Sequence, residues 1–295
     1  MVETVTRDVA AGPLRADRDA PALGLGRRTA EALRVYGLIV AMWVRSTLAY
    51  RASFAMTTVA NLVATFADFA AILVMFGHVR ALGGFSLPEV AVLYGSSSTS
   101  LALADLALGS MDRLGRRVRD GTLDVLLVRP APVLVQVAAD RFALRRLGRL
   151  SQALAVLGWG LAHLDAGWTV GRVLWVVSMV VCGAVIFGAV FVVGAACQFL
   201  ANDAAEVQNS FTYGGNLLLQ YPPTVFGREL VRGVTFVVPL AFVNWIPALH
   251  LMGRDDPLGL PGWVDHLGPL VAAGCAVVAG AAWRLGLRSY RSTGS

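Results

Sequence analysis

Residues 171–200 read GRVLWVVSMVVCGAVIFGAVFVVGAACQFL, and beyond Arg172 they carry no charge. Valine, glycine and alanine dominate a run longer than the ~20 residues that cross a hydrocarbon core about 30 Å thick. A spanning helix is the only economical reading. The whole chain agrees with it. Of 295 residues, 56% are hydrophobic and 15% charged, with mean hydropathy +0.64, where a soluble domain carries roughly 25% charge. This is the composition of an integral membrane protein.

Outward from that run, five further apolar stretches predict spans at about 54–76, 88–110, 143–163, 205–221 and 264–287. Three carry polar marks. Asn61, Thr65 and Asp68 fall at i, i+4 and i+7 on one helical face, which should turn inward or to water, because polar groups facing lipid are costly. The second span begins with GSSSTS (95–100) and has Asp105 near its end; small residues there permit close helix packing. In the fifth, Gln208, Thr212, Asn216 and Gln220 recur every four residues, and Pro222-Pro223 stops the helix. The stretch VTFVVPLAFVNWIPALHLM (234–252) is broken by Pro239 and Pro247. It reads as a span or a re-entrant pair buried against protein.

Charge decides between these. Segment 111–149 holds nine Arg against four Asp, a net +5, whereas 223–266 sets three Arg against Glu229, Asp255, Asp256 and Asp265. Arginine-rich short loops stay in the cytoplasm, so this block and both termini are placed there. Two cytoplasmic ends require an even number of crossings. Six result if about 228–252 is an outer re-entrant hairpin; a seventh span would put the C-terminal arginines outside. Residues 1–26 mix Arg, Asp, Pro and Ala without the apolar core of a signal peptide and read as a mobile cytoplasmic tail. Residues 27–51 read as an amphipathic interfacial helix, with Arg27, Glu31, Arg34 and Arg45 opposite Leu33, Tyr36, Val40, Trp43 and Val44. The six-span domain is then 52–295.

Several chemistries are excluded. The chain has no lysine, all 25 basic residues being arginine, and a P-loop needs its lysine to reach nucleotide phosphates. Cys182, Cys197 and Cys275 fit neither a disulfide framework nor a metal site. His78, His163, His250 and His266 lack ligand spacing. No catalytic group assembles, so the chain is not expected to be an enzyme, and its arginines follow membrane topology rather than a nucleic-acid surface. A stand-alone proton-coupled transporter using Asp68 is the rival reading. It predicts paired broken helices in corresponding halves, and only one broken region is visible.

The order of features resembles the ABC-2-type exporter permeases. DGTLDVLLVRPAPVLVQ (120–136), YPPTVFG and FVVPLAFVNWIPALHLMG within 221–253, and GLRSYRSTGS (286–295) resemble a bacterial subfamily of that group. The resemblance implies an all-α protein of the bacterial cytoplasmic membrane that pairs with a second permease, as homodimer or heterodimer. Two separate ATPase subunits would bind ATP and Mg beneath it, with no cofactor on this chain. It implies a cytoplasmic coupling helix within 111–132. There Arg113 begins the segment, Gly121 lets the chain turn, and Leu123, Leu126 and Leu127 beside Asp124 fill a groove on the ATPase. Arg129 pairs with the groove's acidic rim before Pro130. Asn61, Asp68, Gln208, Asn216 and Gln220 are then the candidates for a translocation path or a dimer interface. These motifs mark a permease without marking a cargo.

Overall fold

The computed structural model describes residues 25–290 except 50, 141, 145, 202 and 203, and no side chain at 25–28, 51, 53 and 65. The expected tail up to residue 24, the C-terminal arginine 291 and the side chains of Arg27 and Thr65 therefore lie outside the described residues. Among those described, the chain is helical, with one isolated β-bridge between Leu82 and Phe85.

The long helices are α1 (Leu25–Ala49), α2 (Arg51–Phe76), α3 (Leu87–Leu108), α7 (Arg146–Ala162), α8 (Val170–Cys197) and α13 (Gly268–Ser289). Between α3 and α7 the arginine block folds into a 3-10 turn (Gly109–Arg113) and three short helices, α4 (Leu114–Arg119), α5 (Leu123–Leu127) and α6 (Val133–Ala139). The fifth predicted span is α9 (Ala204–Asn209), a π-helical turn (Ser210–Gly214) and α10 (Gly215–Leu219). The proline-broken stretch gives α11 (Arg228–Phe236) and α12 (Trp245–Met252).

Among the described residues, five helical segments are long and apolar enough to cross a membrane: Thr29–Ala49, Phe54–Phe76, Leu87–Arg119, Val170–Cys197 and Gly262–Ser289. Helix α7, at the predicted third span, has 17 residues, about 25 Å at 1.5 Å per residue. The α9–α10 segment is shorter still. The first helix thus qualifies by length and composition although its sequence reads as interfacial.

Helix α3 is the centre of the bundle. It packs against α7 on one side and α8 on another, while α13 packs on α8 and α2 on α7. From Glu89 to Ala102 every residue of α3 is buried, including Ser96, Ser97, Ser98, Thr99 and Ser100. Its start follows from local chemistry. Pro88 stands in the first turn, and the Glu89 carboxylate accepts hydrogen bonds from Ser86 N (2.7 Å) and Ser86 Oγ (2.8 Å), the reciprocal capping arrangement of Ser-x-x-Glu. Close packing depends on small residues. A Cβ on Gly95 would lie 2.5 Å from Leu157 Cα, and one on Gly160 would lie 2.9 Å from Val92 N. Without a hydrophobic force between helices in lipid, such backbone contact supplies the dispersion energy that holds them.

The π turn has a geometric consequence. Gln208 and Gln220 are twelve residues apart, which in an unbroken α-helix separates them by about 120°. One extra residue accommodated in a π bulge reduces the count to eleven, about three full turns, and brings both side chains to one face. That face meets α3 and α8. Ser97 Oγ donates to Asn216 Oδ1 (2.7 Å), Gln220 Nε2 donates to Ser98 Oγ (3.2 Å), and Gln198 Nε2 at the end of α8 donates to Gln208 Oε1 (3.0 Å).

Replacing Gly95 with Val should lower the unfolding midpoint of the detergent-purified protein by the equivalent of about 1–3 kcal/mol, the usual cost of overpacking. Gly158 on α7 has open space where its Cβ would stand, so Gly158→Val is the matched control and should leave the midpoint nearly unchanged, valine and glycine having similar helix propensity. Equal behaviour of the two variants would refute the close α3–α7 contact.

Candidate functional site

The arginine block carries the site that the sequence singles out. Its turn is local: Asp120 follows α4, Gly121 takes φ +65°, a left-handed conformation that glycine adopts without steric cost, and α5 begins two residues later.

Helix α5 shows where sequence reasoning and structure part. Leu123 is 0% exposed and Leu126 6%, whereas Val125 is 54% and Val128 72% exposed. Leu123 and Leu126 lie at i and i+3 and so share a face. They pack with Met111, Leu114, Val137, Ala138, Ala189, Val192, Ala195 and Trp283 inside the chain. Leu127 is half-buried. The expectation that these leucines fill a partner's groove is corrected: two of them anchor the segment to its own bundle. The face turned outward is Val125, Val128, Arg129 and Pro130, joined by Arg116, Arg119 and Asp120. Arg113 is half-buried, its Nε 3.8 Å from Asp112 Oδ1.

Four polar side chains tie this mount together. Gln198, buried at the C-cap of α8, accepts from Gly115 N through Oε1 (2.6 Å) and donates through Nε2 to Met111 O (3.3 Å) and Gln208 Oε1 (3.0 Å). It thereby joins α4, α8 and α9 at one side chain. Tyr290, just past α13, donates to Asp124 Oδ1 at 2.9 Å. Burial and the neighbouring Asp124 carboxylate push its phenol up to about 12, so it stays a neutral donor. Arg117 Nε donates to Asp140 Oδ2 at 2.9 Å, tying α4 to the end of α6, and Gln136 Nε2 donates to Leu126 O and Ala131 O.

Next to this mount, Asp105 is a second node. It is buried on α3 and faces Arg146 Nε (3.2 Å) and Arg149 Nη1 (3.5 Å) of α7, and it accepts from Tyr213 Oη (3.1 Å) in the π turn. The Arg149 guanidinium lies 5.7 Å from the Tyr213 ring centre. At the opposite end of the bundle Arg254 makes a bidentate pair with Glu89, both distances 2.9 Å. There His250 Nδ1 also lies 2.9 Å from Asp265 Oδ2.

The five polar candidates divide. Gln208, Asn216 and Gln220 make hydrogen bonds within the chain, to α8 and α3, so this structure presents them as internal ties and not as the lining of an open path. Asn61 is half-buried and borders a small cavity with Asp105, while Asp68 is exposed. Asp68 is thus left uncovered by this single chain. Helix α2 packs chiefly on α7 and leaves its other side uncovered.

Gln198, Tyr213, Asp140 and Tyr290 were not singled out from sequence. Only the run of polar residues around Gln208 hints at the first two. A family model described as ABC-2 family transporter protein matches residues 62–294, well over half of the chain. No curated protein and no solved structure matches it.

Gln198→Leu removes three hydrogen bonds and strands buried groups whose desolvation costs about 1–3 kcal/mol each. Amide hydrogen exchange over residues 111–119 should then accelerate at least about tenfold while α3 keeps its protection. Unchanged exchange there would show that the Gln198 node does not hold the segment.

Proposed function

The chain belongs to the ABC-2 family of transporter proteins, and from that premise we propose that it is the membrane-spanning permease of an ATP-driven exporter in the bacterial cytoplasmic membrane. A multi-pass permease component of an ABC transporter is what membership establishes, and membership implies an ABC ATPase component as partner. The finer reading is ours. ATP and Mg are held by separate ATPase subunits, a second permease completes the membrane core, and an unidentified substrate moves outward.

The observation that carries this reading is the two-faced α5. One face is buried in the chain's own core and the other carries exposed valines beside Arg129. An exposed apolar strip rimmed by arginine suits docking into a groove with an acidic rim. The segment is also tied to α8, α9 and α13 through Gln198 and Tyr290. A displacement of the docked segment would therefore reach three helices through packed side chains, without a hinge between.

The same reading places α1 in the interface, beside α6, and makes α2, α3, α7, α8, α9–α10 and α13 the six crossings, with both termini cytoplasmic. The 9- and 8-residue helices α11 and α12 are each only about 12–14 Å long, which suits a re-entrant pair on the outer side. Asn61 and Asp68 on α2 are the polar groups we assign to contact with the second permease. Family membership favours this account over a stand-alone proton-driven transporter using Asp68.

The test is co-expression with the cognate ATPase and co-purification in detergent. Val125→Asp with Val128→Asp, and separately Arg129→Glu, should cut recovery of the ATPase by about tenfold or more, as loss of a central contact does, while the permease itself stays monodisperse. Leu123→Asp should instead compromise the fold. Docking that survives the valine and arginine changes would remove α5 as the coupling element.

A further inference from the structure

Beside Asp105 the bundle contains a cavity of about 110 Å³ bordered by Asn61, Asp112, Arg113, Arg146 and Arg149. That is the liquid volume of roughly three to four waters. Its charges do not cancel: three arginines face Asp105 and Asp112, which leaves one positive charge over. Nor are the arginines equally engaged. Arg146 is held at 3.2 Å by Asp105 and is largely buried. Arg149 reaches the same carboxylate only at 3.5 Å, and Arg113 reaches Asp112 only at 3.8 Å, with side chains 36% and 39% exposed. Asp112 Oδ1 is buried and has no hydrogen-bond donor.

We propose that this cavity binds a phosphodiester anion, and that the anion is the headgroup of a hydroxylated anionic phospholipid such as phosphatidylglycerol. Two loosely paired guanidiniums, each a planar fork of donors, match phosphate oxygens. The single surplus positive charge matches the single negative charge of a phosphodiester. A buried carboxylate oxygen lacking a donor matches a headgroup hydroxyl beside that phosphate. Lipid is favoured over free phosphate by position. The cavity lies between Asn61 of α2 and Arg146 and Arg149 of α7, two helices assigned to cross the membrane, so a headgroup held there would sit beside lipid. The arginine-block end is also the end assigned to the cytoplasmic leaflet, where basic pockets between helices meet anionic headgroups. A bound headgroup would bridge α3, the 3-10 turn and α7 next to the coupling segment.

The placement in the cytoplasmic leaflet rests on the topology assigned above, but binding does not need an ATPase. Purified permease alone is therefore exchanged into mixed phosphatidylcholine and phosphatidylglycerol nanodiscs, and retained lipid is measured by native mass spectrometry after release. The wild-type protein should retain phosphatidylglycerol preferentially. Arg149→Gln should reduce that preference about tenfold, the value of one charge-assisted contact. Arg113→Gln, whose side chain is more exposed and whose ion pair is long, provides a second variant should Arg149→Gln fold poorly. Arg228→Gln, far along the chain on exposed α11, should retain the wild-type preference. Inorganic phosphate is titrated in a second arm with phosphatidylcholine alone. A thermal shift with phosphate but no lipid preference would overturn the lipid as source. No preference in the wild type, or equal preference in the Arg149 and Arg113 variants, would overturn the site.

Discussion

The structure depends on the burial of α3 from Glu89 to Ala102. A helix surrounded by other helices within a membrane gains little from the hydrophobic effect, since lipid tails are as apolar as leucine. It must be held by contact at short range and by hydrogen bonds. Helix α3 provides both from one segment. Gly95 brings its backbone against Leu157 of α7, and Ser97, Ser98 and Ser100 bond to Asn216, Gln220 and Val180 O. Each interhelical hydrogen bond is worth only about 0.6–2 kcal/mol, so the specificity of the arrangement lies in their simultaneous fit. The π turn at Ser210–Gly214 makes that fit possible, because an unbroken helix would carry Gln220 away from the face that holds Gln208.

Buried polar groups at the two ends of α3 extend the same logic. Near its start, Glu89 caps the helix and pairs with Arg254 beyond α12. Near its end, Asp105 gathers α7 and the π turn. In between, Asn244 donates to Leu93 O and Leu219 O, both at 2.9 Å, so the connection between α11 and α12 is pinned to α3 and α10. The proline-broken stretch is therefore held by a side chain that satisfies carbonyls of two helices at once. Its chain from Leu240 to Leu249 is buried against protein, while Phe236 and Val237 before Pro239 are exposed.

Much of this was legible in the sequence. Length and apolarity place α2, α3, α7, α8 and α13 to within a few residues, because crossing a membrane demands an uninterrupted run that few other structures produce, and the amphipathic pattern of 27–51 places α1. The close packing of the GSSSTS run follows from side-chain size. What sequence does not yield is partnership over long separations. Asp105 meets Tyr213 across 108 positions, and Gln198 meets Gly115 across 83. No local period announces such pairs. The leucines of α5 mark a different limit. Five residues give barely more than one turn, and its apolar residues lie on every side: Leu123, Val125, Leu126 and Leu127. Period alone cannot tell which face the core claims, and the core formed by α8 and α13 claims Leu123 and Leu126.

That division of faces gives the arginine block its two characters. Charge is excluded from the side that meets α8 and α13, where alanines and Trp283 leave room for leucine but not for an unpaired guanidinium. Arg116, Arg119 and Arg129 accordingly point away, and Arg117 turns back only because Asp140 receives it. The arginines whose charge predicts a cytoplasmic side for the block thus build its outer surface, and the leucines between them fix it to the bundle. Packed and hydrogen-bonded contacts run from that segment through Leu123 and Leu126 to α8 and α13, through Gln198 to α9, and from Tyr213 in the π turn to Asp105. Along this route α-helical hydrogen bonding is departed from at the π turn and again at the 3-10 turn of Gly109–Arg113, the kinds of irregularity that mark functional sites and hinges in helices.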